Sequence, residues 1–181
     1  MYQIENSQAT TGYSIKMLSR AAFHVAGFTR IIPAHQNQRV AQFWEELRND
    51  GRLDKLRGAS RAAPWVLGMA TWDPDCEPKG FRYTVCIEET PYTDFTGLAQ
   101  EYELFTKEIG ASEWMCFETT EDTFQQRFWK DNPYKMMGPL GYQFHTGDYS
   151  VGLHFDAYPP GFIHNQNAPM EFWITVRCVD K

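Results

Sequence analysis

The feature that most constrains this chain is an internal repeat of its strand pattern. In the first half, an apolar run over residues 65–74 is followed by a second over 80–87, and in the second half runs over 150–159 and 170–177 follow in the same order. Each pair predicts two strands joined by a loop rich in Pro and Gly. Because ligands favour the groove where two such units meet, the repeat predicts a cleft at their seam.

The segments upstream of each strand pair also match. An apolar strand, or two short ones, within 14–28 precedes a helix over 36–49, whose apolar residues recur at spacings of three and four. In the second half a strand over 114–118 precedes a helix that starts near the capping residues Thr119-Thr120 and stops at Asn132-Pro133. This order, strand–helix–strand–strand twice over, predicts an α+β fold in which helices back an antiparallel sheet.

The repeat also sets the expected domain limits. Residues 1–13 are predicted to form a polar lead-in, and 14–181 a single domain with pseudo-repeats at about 14–90 and 112–181. The link over 90–112 fits either a helical stripe or an alternating strand.

Composition narrows the function classes. With 43% apolar and 15% aromatic residues, the 181-residue chain can fill a core and still line a pocket with aromatic side chains. A net charge of −6 without a basic stripe argues against direct nucleic-acid binding. There is no apolar run of membrane-spanning length and no signal-peptide pattern at the N-terminus, so a cytoplasmic location without a membrane partner is expected.

The scattered cysteines, which are predicted to be free thiols in mostly buried segments, are Cys76, Cys86, Cys116 and Cys178.

Strand alternation indicates where a binding site would lie. Alternate residues of the last two strands place Asp156, Tyr158 and Trp173 on one side of the predicted sheet. A carboxylate among aromatic rings suits a lipophilic cation, because the rings cover its apolar body and attract its charge while the carboxylate neutralises it. The alternative is that Asp156 is a solvated turn residue before Pro159.

Five further aromatic residues could line the same cleft or fill the core: Trp65, Trp72, Tyr83, Trp114 and Phe117. His154 lies two residues from Asp156 on the same predicted face, and His145 or His164 could supply a third metal ligand, but the sequence predicts neither a metal site nor a cofactor. No catalytic residue is predicted, since the chain has no nucleophile elbow and no Gly-rich phosphate loop.

Five short motifs follow one another along almost the whole chain, from about residue 14 to 179. They are Phe23-His24-Val25-Ala26-Gly27-Phe28, Phe43-Trp44, Glu113-Trp114-Met115-Cys116-Phe117-Glu118, Phe155-Asp156-Ala157-Tyr158 and Glu171-Phe172-Trp173-Ile174. In this order and spacing the chain resembles the GyrI-like (gyrase-inhibitor-like) small-molecule-binding domain, the effector-binding module of certain AraC-type and MerR-type transcription regulators.

The resemblance implies two units related by a pseudo-twofold axis, with a ligand cleft between them. In characterised regulators, the Glu of the family motif Phe-Glu-x-Tyr contacts positively charged lipophilic ligands, and its position is Asp156 here. Asp is shorter by one methylene group, which changes the depth of the charge. The family's closing-strand Tyr corresponds to Trp173, which keeps the aromatic wall and loses the hydroxyl.

The sequence therefore predicts a stand-alone small-molecule-binding domain for amphipathic or cationic ligands, without a DNA-binding domain of its own. One alternative is a hydrolase of reactive electrophiles or esters in the same cleft, with Asp156 or Glu118 as base and Tyr158 as polariser. Another is a protein partner of gyrase or a toxin that acts as an antagonist through an outer surface.

Overall fold

The computed structural model describes residues 2–4, 10–72, 76, 80–145, 153–162 and 168–179. The ten strands in these ranges are β1 (Tyr2–Gln3), β2 (Ile15–Arg20), β3 (Phe23–Pro33), β4 (Val66–Thr71), β5 (Gly80–Glu88), β6 (Phe105–Ile109), β7 (Ser112–Thr120), β8 (Tyr142–Phe144), β9 (His154–Tyr158) and β10 (Pro169–Cys178).

The helices begin with α1 (Gln38–Asn49), α2 (Arg52–Gly58) and α3 (Thr96–Glu101). The next helical segment, α4, consists of Glu121–Thr123, a π-helical turn Phe124–Phe128, and Trp129–Asp131. It is followed by α5 (Pro133–Met136) and a short 3-10 helix, Gly138–Leu140. None of the helices in the described ranges has the length and apolar character required to cross a membrane.

The strands form one antiparallel sheet in the order β1-β2-β7-β10-β9-β4-β5-β3-β6, with β8 paired to β10. Its central part has a symmetrical arrangement. On one side β3, β5 and β4 come from the first half of the chain, and on the other β7, β10 and β9 come from the second half. Since α1 follows β3 and α4 follows β7, the predicted strand–helix–strand–strand repeat is confirmed, and the two units meet where β4 pairs with β9.

The residues of α1 show why this helix forms and which face it buries. Phe43, Trp44 and Leu47 are its buried side chains, and they lie three or four positions apart. In α4 the predicted cap is also present, because the Thr120 hydroxyl accepts a hydrogen bond from the Thr123 amide at 3.3 Å. Both helices therefore pack their apolar faces on the same side of the sheet, where the larger core lies.

The opposite face of the sheet encloses a second core, and ring contacts show that the sheet curls strongly around it. Phe23 on β3 lies 6.4 Å from Trp114 on β7, between ring centroids. Five strand steps separate β3 from β7, which would put them about 24 Å apart in a flat sheet. Only two residues link β2, beside β7, to β3, so the chain itself joins the two distant parts of the sheet.

The N-terminal side of the fold agrees with the sequence prediction only in part. The run over 14–28 forms two strands, one of the two predicted alternatives, but they belong to different units, because β2 pairs with β7 of the second unit whereas β3 pairs with β5 of the first. The lead-in, predicted as a loose segment, contributes strand β1 and the buried Tyr13. In β3 the chain continues through Gly27, where a Cβ would lie 2.0 Å from the Val85 carbonyl oxygen.

The remaining expectations have mixed outcomes. The link over 90–112 contains both a helix, α3, and a strand, β6. Cys76, Cys86 and Cys116 are buried free thiols, while Cys178 is exposed. Most of the turn predicted between β4 and β5, and the start of the strand predicted from Ser150, lie outside the described residues.

We expect the second core to contribute much of the stability, because its rings pack across the curled sheet. Phe155→Ala removes a fully buried ring that stacks on Trp114 at 5.2 Å. This change should lower the free energy of unfolding by about 3–5 kcal/mol, measured by urea denaturation. Tyr92→Ala, at a side chain that is 63% exposed, should change it by less than about 0.5 kcal/mol. Equal losses in the two variants would contradict the packing described for this core.

Candidate ligand-binding site

A cavity of about 830 Å³ lies on the helix-bearing side of the sheet, at the seam of the two units. Helix α1 forms one wall and α4 the other, and strands β4, β5 and β9 form the floor. Its lining residues are Asn37, Gln38, Val40, Ala41, Trp44, Glu45, Arg48, Ala70, Trp72, Phe81, Tyr83, Glu121, Phe124, Gln125, Trp129, Tyr134, His154, Asp156 and Tyr158.

The floor of the cavity is positioned by strand alternation in β9. His154, Asp156 and Tyr158 occupy every second position of this strand, so their side chains all face the helices. In the register between β9 and β10, Asp156 is opposite Phe172, and Phe172 belongs to the core beneath the helices. The carboxylate therefore projects from the central strand of the sheet into the space between α1 and α4.

Three side chains from three elements form a hydrogen-bonded chain at this floor. The Trp44 indole Nε1 donates to the Tyr83 hydroxyl at 3.0 Å, and that hydroxyl donates to Asp156 Oδ2 at 2.7 Å. The chain thus connects helix α1 of the first unit with strand β9 of the second. It holds the carboxylate in one orientation, because one of its oxygens is fixed by a donor that is itself fixed.

The Tyr83–Asp156 contact requires a glycine in the strand between them. Gly68 on β4 is paired with Asp156 on one side and with Val85 on the other. A Cβ at Gly68 would lie 2.0 Å from the Tyr83 hydroxyl oxygen and 3.3 Å from the Asp156 Cβ. The absence of a side chain at Gly68 gives the Tyr83 ring room to cross β4 and reach the carboxylate.

The second oxygen of the carboxylate has a different environment. Asp156 is only 6% exposed, and Oδ1 has no hydrogen-bond partner among the described residues. Burial raises the pKa of Asp156 from 3.8 to about 7, and the hydrogen bond from Tyr83 offsets part of this rise. The site thus contains a desolvated acceptor atom that gains from any positive charge or donor brought beside it.

The tyrosines around the carboxylate stay protonated. Burial, and then the nearby Asp156 charge, hold the pKa of both Tyr83 and Tyr158 well above its usual value. The Tyr158 ring also meets Trp44 edge-on, with the ring centroids 5.0 Å apart. The aromatic walls beside Asp156 are therefore neutral at physiological pH, and Arg48, the cation among the described residues that line the same cavity, forms no ion pair with the carboxylate.

A second polar pair lies further along the same floor. His154 Nδ1 and the Tyr134 hydroxyl are 3.0 Å apart and share a hydrogen bond. Burial lowers the pKa of His154 from 6.5 to about 3, so its imidazole is neutral near pH 7. The Trp72 ring lies at 5.3 Å and the Trp129 ring at 5.8 Å, which confines the imidazole between two indoles.

The structure brings together four of the residues predicted to bind a ligand. Trp72, Tyr83, Asp156 and Tyr158 all line the cavity, and the predicted cleft lies at the seam of the repeats. The alternative in which Asp156 is a solvated turn residue is wrong, because the side chain is buried within strand β9. Whether these residues bind a ligand stays a prediction.

The other predicted residues lie elsewhere. Trp173 was predicted to share a face with Asp156, and this is wrong: it pairs with Phe155 and faces the second core, as do Trp65 and Trp114. The error arose in the register between two strands, which the alternation of each strand alone does not fix. Phe117 is on the helix-bearing side but is covered by Phe128 of α4.

The residues considered for hydrolysis and for metal binding do not come together in the cavity either. Glu118 is paired with Glu171 on the face opposite Asp156, so it is not a base in the same cavity. Among the residues that the structure describes, no three His, Cys, Asp or Glu side chains are grouped as metal ligands would be. His164, one of the candidates for a third ligand beside His154 and Asp156, lies outside the described residues.

Sequence reasoning missed several residues of the cavity wall. Trp44 was named within the motif Phe43-Trp44, and the part that its indole N–H takes in the hydrogen-bonded chain was not predicted. Tyr134 follows Pro133 in a segment that shows no regular pattern, so nothing in the sequence placed it beside His154. His154 was predicted to share the face of Asp156, and this is confirmed, but its hydrogen bond with Tyr134 was not predicted.

Comparisons with known proteins support the fold. No protein-family model matches the sequence, and no curated protein matches it. Three solved structures share the fold at low identity, and each covers at least nine-tenths of this chain. The resemblance to GyrI-like domains is therefore confirmed at the level of the fold.

The first of these structures is a candidate transcription regulation protein from Staphylococcus aureus MU50, with 17% identity and a TM-score of 0.65, covering 91% of this chain and 97% of that one. The second is SAV2435 bound to tetraphenylphosphonium, with 17% identity and a TM-score of 0.67, covering 90% of this chain and 93% of that one. The third is the C-terminal domain of EcmrR, with 11% identity and a TM-score of 0.59, covering 92% and 99%.

The raised pKa of Asp156 predicts how Asp156→Asn changes stability with pH. Between about pH 4 and pH 7 the folded protein keeps a proton on Asp156 that the unfolded chain loses, so this group makes the folded state less stable as pH rises. The variant should therefore gain stability relative to the parent across this window, by at most about 1.4 kcal/mol per pH unit. Urea denaturation of both proteins from pH 4 to 8 measures this difference.

The comparison with the parent protein removes the contribution of other groups, because His154 and the surface carboxylates are present in both proteins. Above about pH 7 the difference should become constant. A difference that is independent of pH throughout would contradict the burial of Asp156.

Proposed function

We propose that this protein is a small-molecule-binding domain that takes up amphipathic organic cations in the cavity between its two units. The observation that carries the proposal is the Asp156 carboxylate, which is buried, oriented by Tyr83, and left with one oxygen unpaired among the described residues. A bound cation would satisfy that oxygen and neutralise the charge in a place where water is scarce.

The walls of the cavity suit the apolar part of such a ligand. Trp44, Trp72 and Tyr158 contribute flat apolar surfaces, and aromatic faces attract a cation by roughly 0.5–2 kcal/mol each. A volume of about 830 Å³ is within the range of pockets that enclose drug-sized molecules. A lipophilic body with a delocalised positive charge therefore matches both the shape and the electrostatics of the site.

One of the structural neighbours supports this choice of ligand class. SAV2435, with 17% identity, is bound to tetraphenylphosphonium, a cation of this kind. Another neighbour is described as a candidate transcription regulation protein, so we further propose that ligand uptake is read out as an effector signal, in the cytoplasm, by a partner. The hydrolase and antagonist functions stay predictions, and turnover of an activated ester that is abolished by Asp156→Asn would favour the hydrolase.

Tetraphenylphosphonium should bind the protein, and Asp156→Asn should weaken its binding at least about tenfold, because the variant removes the counter-charge of a desolvated cation. Isothermal titration calorimetry at pH 8 measures both affinities. Glu45→Gln is the matched control, since it removes a charge from an exposed lining residue and should change the affinity less than about twofold.

Tetraphenylborate tests whether the cavity prefers a positive charge, because it is an anion with the same shape as tetraphenylphosphonium. It should bind far more weakly than the cation. Equal binding of the two ions, or equal effects of the Asp156 and Glu45 variants, would overturn the proposal.

Affinity for the cation should also depend on pH. Only the ionised Asp156 supplies a counter-charge, and its pKa in the free protein is about 7. The apparent affinity should therefore be constant above pH 8 and fall below pH 7, by up to about tenfold for each pH unit, until it reaches the affinity of Asp156→Asn. Titrations between pH 5 and 9 measure this profile, and the profile of Asp156→Asn should be flat. A steep profile in that variant would assign the dependence to another group.

A further inference from the structure

We propose that the preferred ligands of this cavity carry, besides their positive charge, a hydrogen-bonding group that pairs with His154 and Tyr134. This inference rests on the proposed function, because it names the second recognition element of the same ligand. It narrows the ligand class from lipophilic cations in general to cations with a hydroxyl or a similar polar group on one arm.

The first support is the position of the two polar elements on one strand. His154 and Asp156 are two residues apart on β9 and face the same cavity. Two residues of a strand span about 6.6 Å, so the sites for the charge and for the polar group are separated by about the width of one substituted aromatic ring. A rigid aromatic cation can therefore reach both elements at once.

The second support is the hydrogen-bonding state of His154. Its Nδ1 shares a hydrogen bond with Tyr134, whereas its Nε2 has no hydrogen-bond partner among the described residues. The imidazole is 6% exposed and lines the cavity. Nε2 is not among the fully buried unpaired atoms of the described residues, so it is open to the cavity. An apolar ligand that covers it would leave it desolvated without a partner, so the site favours ligands that pair with it.

The third support is that the imidazole is held in place. Trp72, Trp129 and Phe172 surround its ring, with centroid distances of 5.3, 5.8 and 4.9 Å. Tyr134 fixes its orientation through Nδ1. A polar group that is fixed before the ligand arrives loses little freedom on binding, so its hydrogen bond contributes more to specificity than one from a mobile surface residue.

The chemistry of the pair also defines the ligand group. If Tyr134 donates to Nδ1, then Nε2 carries the proton and donates to the ligand; if Nδ1 donates to Tyr134, then Nε2 accepts. An alcohol hydroxyl serves in both cases, since it is both a donor and an acceptor. A methoxy group serves only in the first case, so the two substituents distinguish the tautomers.

The test compares two probes that differ by one oxygen: (4-methylphenyl)triphenylphosphonium and (4-hydroxymethylphenyl)triphenylphosphonium, whose alcohol stays protonated at pH 8. Both affinities are measured by calorimetry at pH 8 on the full chain. The hydroxyl should tighten binding by roughly two- to tenfold, the effect of one net hydrogen bond. In His154→Phe, which keeps a ring between Trp72 and Trp129, this gain should disappear while the methyl-substituted probe still binds.

Two further variants make the test specific. Tyr134→Phe removes the group that orients the imidazole and should reduce the gain from the hydroxyl, so it provides an independent readout if His154→Phe does not fold. His24→Phe makes the same substitution at an exposed position on β3 and should leave the gain unchanged.

The outcomes separate the two proposals. If tetraphenylphosphonium binds with the expected dependence on Asp156 but the hydroxyl brings no gain, the inference is overturned and the proposed function stands. A gain that survives both His154→Phe and Tyr134→Phe also overturns it. If neither probe binds the parent protein, the proposed function fails and the inference fails with it.

Discussion

The pairing of β4 with β9 is the interaction on which the rest of the structure depends. It joins the two strand–helix–strand–strand units into one sheet, and it sets Gly68 directly opposite Asp156. Because Gly68 has no side chain, the Tyr83 ring can cross this strand and hold the carboxylate of the other unit. The same pairing brings α1 and α4 to opposite sides of a common floor, so the junction that unites the fold also creates its cavity.

Burying a carboxylate destabilises the folded state, because the charge loses its hydration. The surroundings of Asp156 offset this loss only in part. Tyr83 satisfies one oxygen, but the described residues supply no ion-pair partner for the charge, and the pKa of Asp156 is raised accordingly. A purely structural role would be better served by Asn or by an apolar residue of similar size. Retaining an acid at this position is consistent with a site whose missing partner arrives from outside the protein.

The sequence was sufficient to predict the repeat, the α+β class and the position of Asp156 at the seam, because each depends on local periodicity or on chain order. It did not predict the side of the sheet on which Trp173 lies, because that depends on the register between β9 and β10. Nor did it show that β2 belongs to the second unit, since strand pairing across the chain leaves no local pattern. Tyr134 illustrates a further limit: it reaches the cavity through an irregular segment, where no periodicity indicates the direction of a side chain.

The short link between β2 and β3 has a consequence for how such a protein can be divided. Although the two repeats follow one another in the sequence, β2 precedes the first repeat and pairs with β7 of the second. A cut in the segment 90–112 would therefore leave β7 of the C-terminal fragment paired to β10 but without β2, and would expose the edge that β2 covers. The two units are therefore interlocked by an exchanged strand, and each needs the other to complete its strand pairing.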